Sequence, residues 1–228
     1  TSASGIDDLE NEIFAPETHF QKYLIHENRI LYMKFSIFSS NSSWMQSEIF
    51  VHELFQELKE IICHLGGPAK TCKLLNVKYS ALKEWPSGRR PISLQKLNLL
   101  LAECDFDFKQ KLVEKINSRE IYLSCKYSPH IVKFPNNLSV ELAYLCGLIL
   151  GDGSLAGNSS NVDGNWRILS CFDNTIHQEI YSKMVTDLFG LIPKHYKDKR
   201  KECDYSYFCS KTIHWFLRSY FDMLNGYK

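Results

Sequence analysis

The sequence predicts an α+β chain in which a helical unit precedes a unit of alternating helices and antiparallel strands. Apolar residues recur at three- and four-residue steps through most of 51–116, which is the helical period. The runs WRILSCF (166–172) and DYSYFC (204–209) alternate instead, which is the strand period. Between these regions, residues 142–151 are almost unbroken apolar, with glycines four apart at Gly147 and Gly151.

The 228 residues, 44% hydrophobic and 23% charged, suffice for one large domain or two small ones. With 27 Lys and Arg against 26 Asp and Glu, total charge singles out no nucleic-acid or membrane partner. No apolar run approaches the about 20 residues of a membrane helix, and the first residues lack a signal-peptide layout. The expectation is an intracellular protein of cytoplasm or nucleoid, with no membrane partner. The eight cysteines include no Cys-x-x-Cys pair and read as reduced thiols, mostly buried. The gaps between Cys203, Cys209 and His214 fit no common structural zinc pattern.

Charge is unevenly placed. Residues 1–50 carry seven acids and three bases, 51–137 nine acids and fourteen bases, and 138–228 ten of each. Within the acidic lead-in, 1–19 read as flexible, 30–38 as one strand and 39–43 (SSNSS) as a linker-like break. No function is legible in 1–50.

From there the elements follow in order. Val51, Leu54, Phe55, Leu58, Ile61, Ile62 and Leu65 predict a helix over 51–65, stopped by Gly66-Gly67-Pro68. Short helices over 69–75 and 80–85 flank the turn 76–78, and longer ones follow over 93–104 and 107–116. Two short helices around a three-residue turn make a helix-turn-helix arrangement, here spanning a domain of 51–118. Ala69, Leu74, Val77, Leu82 and Trp85 are expected between the two helices. That leaves Lys78, Tyr79, Ser80 and Lys83 near the exposed start of the second. Between Gly66 and Leu100 stand seven basic residues, Arg89 and Arg90 among them, and one acid, Glu84, a balance suited to phosphates. The string PAKTCKLLNVKYSALKEWPSGRRPISLQKLNLLL (68–101) resembles the helix-turn-helix domains of phage repressors, which implies that double-stranded DNA meets this end.

Residues 119–137, with Pro129, Pro135 and two Asn, read as an irregular linker and the domain boundary. The apolar helix then opens the second unit, 138–228, with Ser139 as its cap. Each glycine costs a helix about 1 kcal/mol, and a close-packed second helix along the glycine seam would compensate. Asp152 ends this helix beside a Gly-Ser turn, where a lone carboxylate invites a hard cation. A helix over 176–189, stopped by Gly190, and a last helix over 210–224 complete the order.

Residues 145–153, LCGLILGDG, resemble the motif of the LAGLIDADG homing endonucleases. Leu145, Gly147, Leu148, Ile149, Asp152 and Gly153 match it; Cys146 replaces a small residue, Gly151 is a frequent variant, and Leu150 replaces the first aspartate. The resemblance implies one αββαββα half-domain with an antiparallel saddle sheet lying in the DNA major groove. It implies a site-specific endonuclease making Mg²⁺-dependent double-strand cuts, with Asp152 and Gly151 at the metal and Gly147, Gly151 and Leu148 along the seam. It also implies that Asn174, beside Asp173, and Lys211 stand near the reacting water. DNA contacts are expected from Arg167, Lys197, Lys199 and Arg200, with Trp166, Tyr205 and Tyr207 alternating on the strands. Paired metals need carboxylates from two motifs, whereas this chain carries one, so a homodimer or a further half-domain is expected. Two other functions compete: a transcription regulator whose LAGLIDADG unit has lost cleavage, and the endonuclease portion of an intein.

Overall fold

A computed structural model of the chain describes residues 35–38, 46–126, 130–156, 166–198, 203–221 and 223. Among these the fold is mixed α+β, with eight helices and two four-stranded antiparallel sheets. No helix of the described residues is long and apolar enough to cross a membrane.

The first sheet, in the order β2-β1-β3-β4, joins β1 (Ile49–Val51), β2 (Ile92–Ser93), β3 (Ile121–Cys125) and β4 (Val132–Phe134). Between β1 and β2 lie α1 (Phe55–His64), α2 (Pro68–Leu75) and α3 (Tyr79–Glu84). Between β2 and β3 lie α4 (Leu94–Ala102), capped by Ser93, and α5 (Phe106–Asn117), capped by Asp105. The chain continues as α6 (Val140–Asp152), β5 (Gly153–Ala156), β6 (Arg167–Phe172), α7 (Thr175–Phe189), β7 (Lys194–Asp198), β8 (Cys203–Cys209) and α8 (Lys211–Phe221). Its strands form the second sheet in the order β5-β6-β8-β7.

Several expectations need correcting. The helix expected from 51 begins at 55, because Ile49 and Val51 are buried strand residues paired with Cys125 and Leu123. Glu53, at φ +61, breaks the chain between strand and helix. The segment 119–137, expected to be an irregular linker, holds β3 and β4. Ile121, Leu123 and Cys125 alternate inward, and Val132 and Phe134 complete the face, so these residues belong to the core. Of the strand expected over 30–38, residues 30–34 lie outside the described residues, and 35–38 form no strand but bury Phe35 and Ile37. Residues 1–34 and the break at 39–43 also lie outside them.

In α2 the buried pair is Thr71 and Leu75, while Ala69 and Leu74 are exposed and Val77 is half-buried. Residues five apart, such as 69 and 74, differ by about 140° around a helix and cannot share a face, whereas 71 and 75 nearly coincide. Leu82 and Trp85 are buried as expected. Asn76 takes the left-handed conformation that ends α2 and starts the turn into α3. None of the eight cysteines is in a disulfide; Cys104, Cys125 and Cys146 are buried, Cys63 and Cys209 exposed, and the other three intermediate, so burial is less general than expected.

One continuous apolar core runs through both sheets and their helices. α8, which follows β8 after Ser210, packs on β3 of the first sheet, so the last helix belongs to both halves.

Candidate functional site

The most unusual element is α6. Its inward face consists of Leu142, Leu145, Cys146 and Ile149, all buried against α7, β5 and β6. Burial pushes the Cys146 thiol up to about 12, which keeps it inert. The opposite face is also apolar yet exposed: Val140 is 64%, Tyr144 50% and Leu150 64% accessible, with exposed Gly147 and Gly151 between them and half-buried Leu148 at the margin. Ordinary surface helices carry charge on that side.

The three glycines at the end of this helix differ in what surrounds them. A Cβ on Gly153 would stand 2.6 Å from the Ile149 carbonyl oxygen and 2.7 Å from that of Leu169, so the helix end and β6 tolerate no side chain there. A Cβ on Gly147 or Gly151 would meet nothing of this chain within 4 Å. Nothing described within one chain accounts for those two glycines.

Ser139 caps the start of α6, its hydroxyl accepting from the Leu142 amide at 3.1 Å. At the other end Asp152 is exposed in the last turn, which contains no basic residue. The unpaired carbonyls of a last turn, Gly151's among them, form the negative end of the helix dipole, and a carboxylate added there favours a bound cation. One carboxylate and a carbonyl dipole suit a hard divalent ion but fill few of its oxygen positions. Among the described residues no group of three His, Cys, Asp or Glu side chains is arranged to hold a metal.

Strand register fixes the neighbours of Asp152. Gly153 pairs with Ser170, two residues before β6 ends at Phe172. Asp173 and Asn174 therefore follow at the same end of the sheet as Asp152. Asn174 caps α7, accepting from the His177 amide at 2.9 Å and donating to the Asp173 carboxylate at 2.9 Å. The His177 ring lies 3.2 Å from the same carboxylate, so Asp173, Asn174 and His177 form a small polar cluster, of which sequence reading found only the first two. Lys211 is not brought to Asp152. It follows Cys209, which pairs with Arg167, about 10 Å along the sheet from Ser170. There it ion-pairs with Glu48 and lies 5.2 Å from the Trp166 ring centre.

The second sheet turns one face to its helices and leaves the other open. By register Arg167, Tyr205, Tyr207, Lys194 and Tyr196 share the open face. Tyr196 stacks on Tyr205 with ring centres 5.0 Å apart, and the Arg167 guanidinium lies 5.0 Å from the centre of Tyr207. Trp166 instead is buried against His214. Lys197 pairs with Asp204 and falls on the other face, while Lys199 and Arg200 lie outside the described residues. Tyr196 was not found in the sequence, because three charged residues in KHYKD hide the alternation of β7. Cys203 and Cys209 stand at opposite ends of β8, about 20 Å apart, so they cannot join His214 around one ion.

On the first unit, Lys78, Tyr79, Ser80 and Lys83 are exposed along α3, with Lys70, Lys73 and Arg89 exposed nearby. Arg90 is paired with Glu84 at 2.9 Å, and Lys96 lies 5.2 Å from the Trp85 ring centre. Gly88, at φ +76, makes the turn after α3, where a Cβ would stand 2.8 Å from Phe55. Compared with protein-family models this chain matches none, and it matches no curated protein either.

Proposed function

We propose that the chain is a DNA endonuclease of the LAGLIDADG type that works as a homodimer, with a helix-turn-helix as a second DNA-contacting element. The observation that carries this reading is the open face of α6: apolar, furrowed by Gly147 and Gly151, and ending beside Asp152. A second copy laid along that face removes the apolar surface from water, and glycines allow two backbones to approach closely. It also brings a second Asp152 to the same end. The order α6-β5-β6-α7-β7-β8-α8, and a sheet whose open face carries Arg167, Lys194 and three tyrosines beside Leu169 and Cys171, support the same reading.

A divalent cation such as Mg²⁺, held by Asp152 and the Gly151 carbonyl of each copy, would supply an activated water and charge stabilisation for the leaving oxygen. The chain's own residues do the rest. Asp173, at the same end as Asp152, offers a carboxylate to orient a water, and Asn174, engaged with Asp173 and the α7 cap, positions it. Arg167 and Lys194 on the open face neutralise phosphates, and the tyrosines give a flat surface against the duplex. Helix α3, with Lys78 and Lys83 exposed, contacts a further stretch of backbone.

In the experiment that tests this reading, plasmid bearing the native flanking locus is incubated with Mg²⁺ and either wild type or Asp152→Asn. Double-strand cutting by wild type alone is expected. Equal nicking by both, or none by wild type, would remove the nuclease. One observation favours a second reading, a non-cleaving DNA-binding regulator: Lys211 is engaged with Glu48 and stands away from Asp152. Retarded DNA migration without cutting by wild type selects that reading.

A further inference from the structure

Two candidate DNA faces, one on α3 and one on the open side of the second sheet, are joined by packing at every step of the path between them. α3 packs on α2, α2 on α4, and α4 on β1 and β2 of the first sheet, with Leu82 and Trp85 buried in the common core. The first sheet is covered at β3 by α8. There Phe216 meets Phe35 and Phe134 edge-on, each at 5.3 Å between ring centres, and Tyr220 lies 5.4 Å from Phe35. These four rings are 2–7% exposed. The Tyr220 hydroxyl donates to the Ser36 carbonyl, and Lys211 at the start of α8 pairs with Glu48 just before β1. Only Ser210 separates α8 from β8, which carries Tyr205 and Tyr207 on the open face.

The covalent connection is pinned as well. Between β4 and α6 the Asn136 side-chain amide donates to the carbonyls of Asn117 and Arg119, and the main-chain carbonyl of Asn136 accepts from the Phe35 amide at 2.8 Å. Units that rotate freely meet across small polar surfaces, whereas large buried rings, each covering about 150–250 Å², resist relative motion.

We infer that the α3 face and the open sheet face form one rigid reader, whose DNA target within each half-site is two contacted elements at a fixed spacing and helical phase. This rests on the DNA reading above. A tethered module would follow its element when the spacing changes; a rigid body cannot.

The test uses the full chain, duplex DNA selected from a random pool, and hydroxyl-radical footprinting. Two protected elements per half-site are expected, one of which is lost with the double variant Lys83→Ala, Arg89→Ala. Inserting a half turn or a full turn of duplex between them, about 5 or about 10 base pairs, should weaken binding at least about tenfold in both cases. A full-turn insertion that costs less than about twofold would overturn the inference and show a flexible tether. A footprint unchanged by the double variant would also overturn it, leaving the sheet as a DNA contact without α3. Failure to protect any duplex is a different result: it would remove the DNA reading itself, and this inference with it.

Discussion

Helices α3 and α6 both present an uncovered side, and the two sides are made of different atoms. α3 shows Lys78, Tyr79, Ser80 and Lys83; α6 shows Val140, Tyr144, Gly147, Leu150 and Gly151. A cationic side is well solvated and stays stable while empty. An apolar side forfeits about 25 cal/mol for each Å² left in water, so it implies a partner that stays. On the proposed reading, the same measure, exposure, goes with a transient polyanion in one place and a permanent protein neighbour in the other.

The glycines within α6 and just after it give the largest effects that distinguish the two helices. Gly153→Ala forces a methyl against two backbone carbonyl oxygens, so it should destabilise the fold by about 3 kcal/mol and lower the melting temperature by roughly 10 °C. Gly147→Ala should do the reverse to the monomer, stabilising the helix by up to about 1 kcal/mol, while weakening the dimer. Thermal unfolding at low concentration and sedimentation at high concentration separate the two. A Gly147→Ala protein destabilised like Gly153→Ala would mean that its own chain already covers that side.

The smaller effect belongs to α3. Replacing Lys83 and Arg89 with Ala should flatten the salt dependence of DNA binding by up to about two units and shift stability by no more than about 0.5 kcal/mol. An unchanged salt slope would exclude α3 from the contact surface, leaving its cations as solvated charge.

What the sequence made legible follows the range of the interactions involved. α6 was readable because ten successive apolar residues cannot hide and Ser139 caps them locally. α7 and β8 were readable for similar local reasons, a stop at left-handed Gly190 and a clean alternation. β3 and β4 were not. They are short, flanked by prolines and asparagines, and β3 pairs with β1 some seventy positions earlier, a contact no local window contains. Their recovery turns an expected linker into shared core. At the candidate site, Asp152 and the glycines were legible as a motif. The position of Lys211 was not, since its Glu48 partner lies 163 residues away. Asn174 was legible as a polar residue that could serve as a cap, but its ties to Asp173 and His177 were not.

In the proposed dimer, α6 meets its own copy along Gly147 and Gly151 and brings two Asp152 carboxylates to one metal site. A crystal structure of the full chain on its DNA target with Ca²⁺ measures this directly. Two α6 helices in backbone contact are expected there, with both Asp152 carboxylates ligating a cation. A single copy on the duplex, or a dimer formed through another surface with the carboxylates held apart and no shared cation, would contradict it.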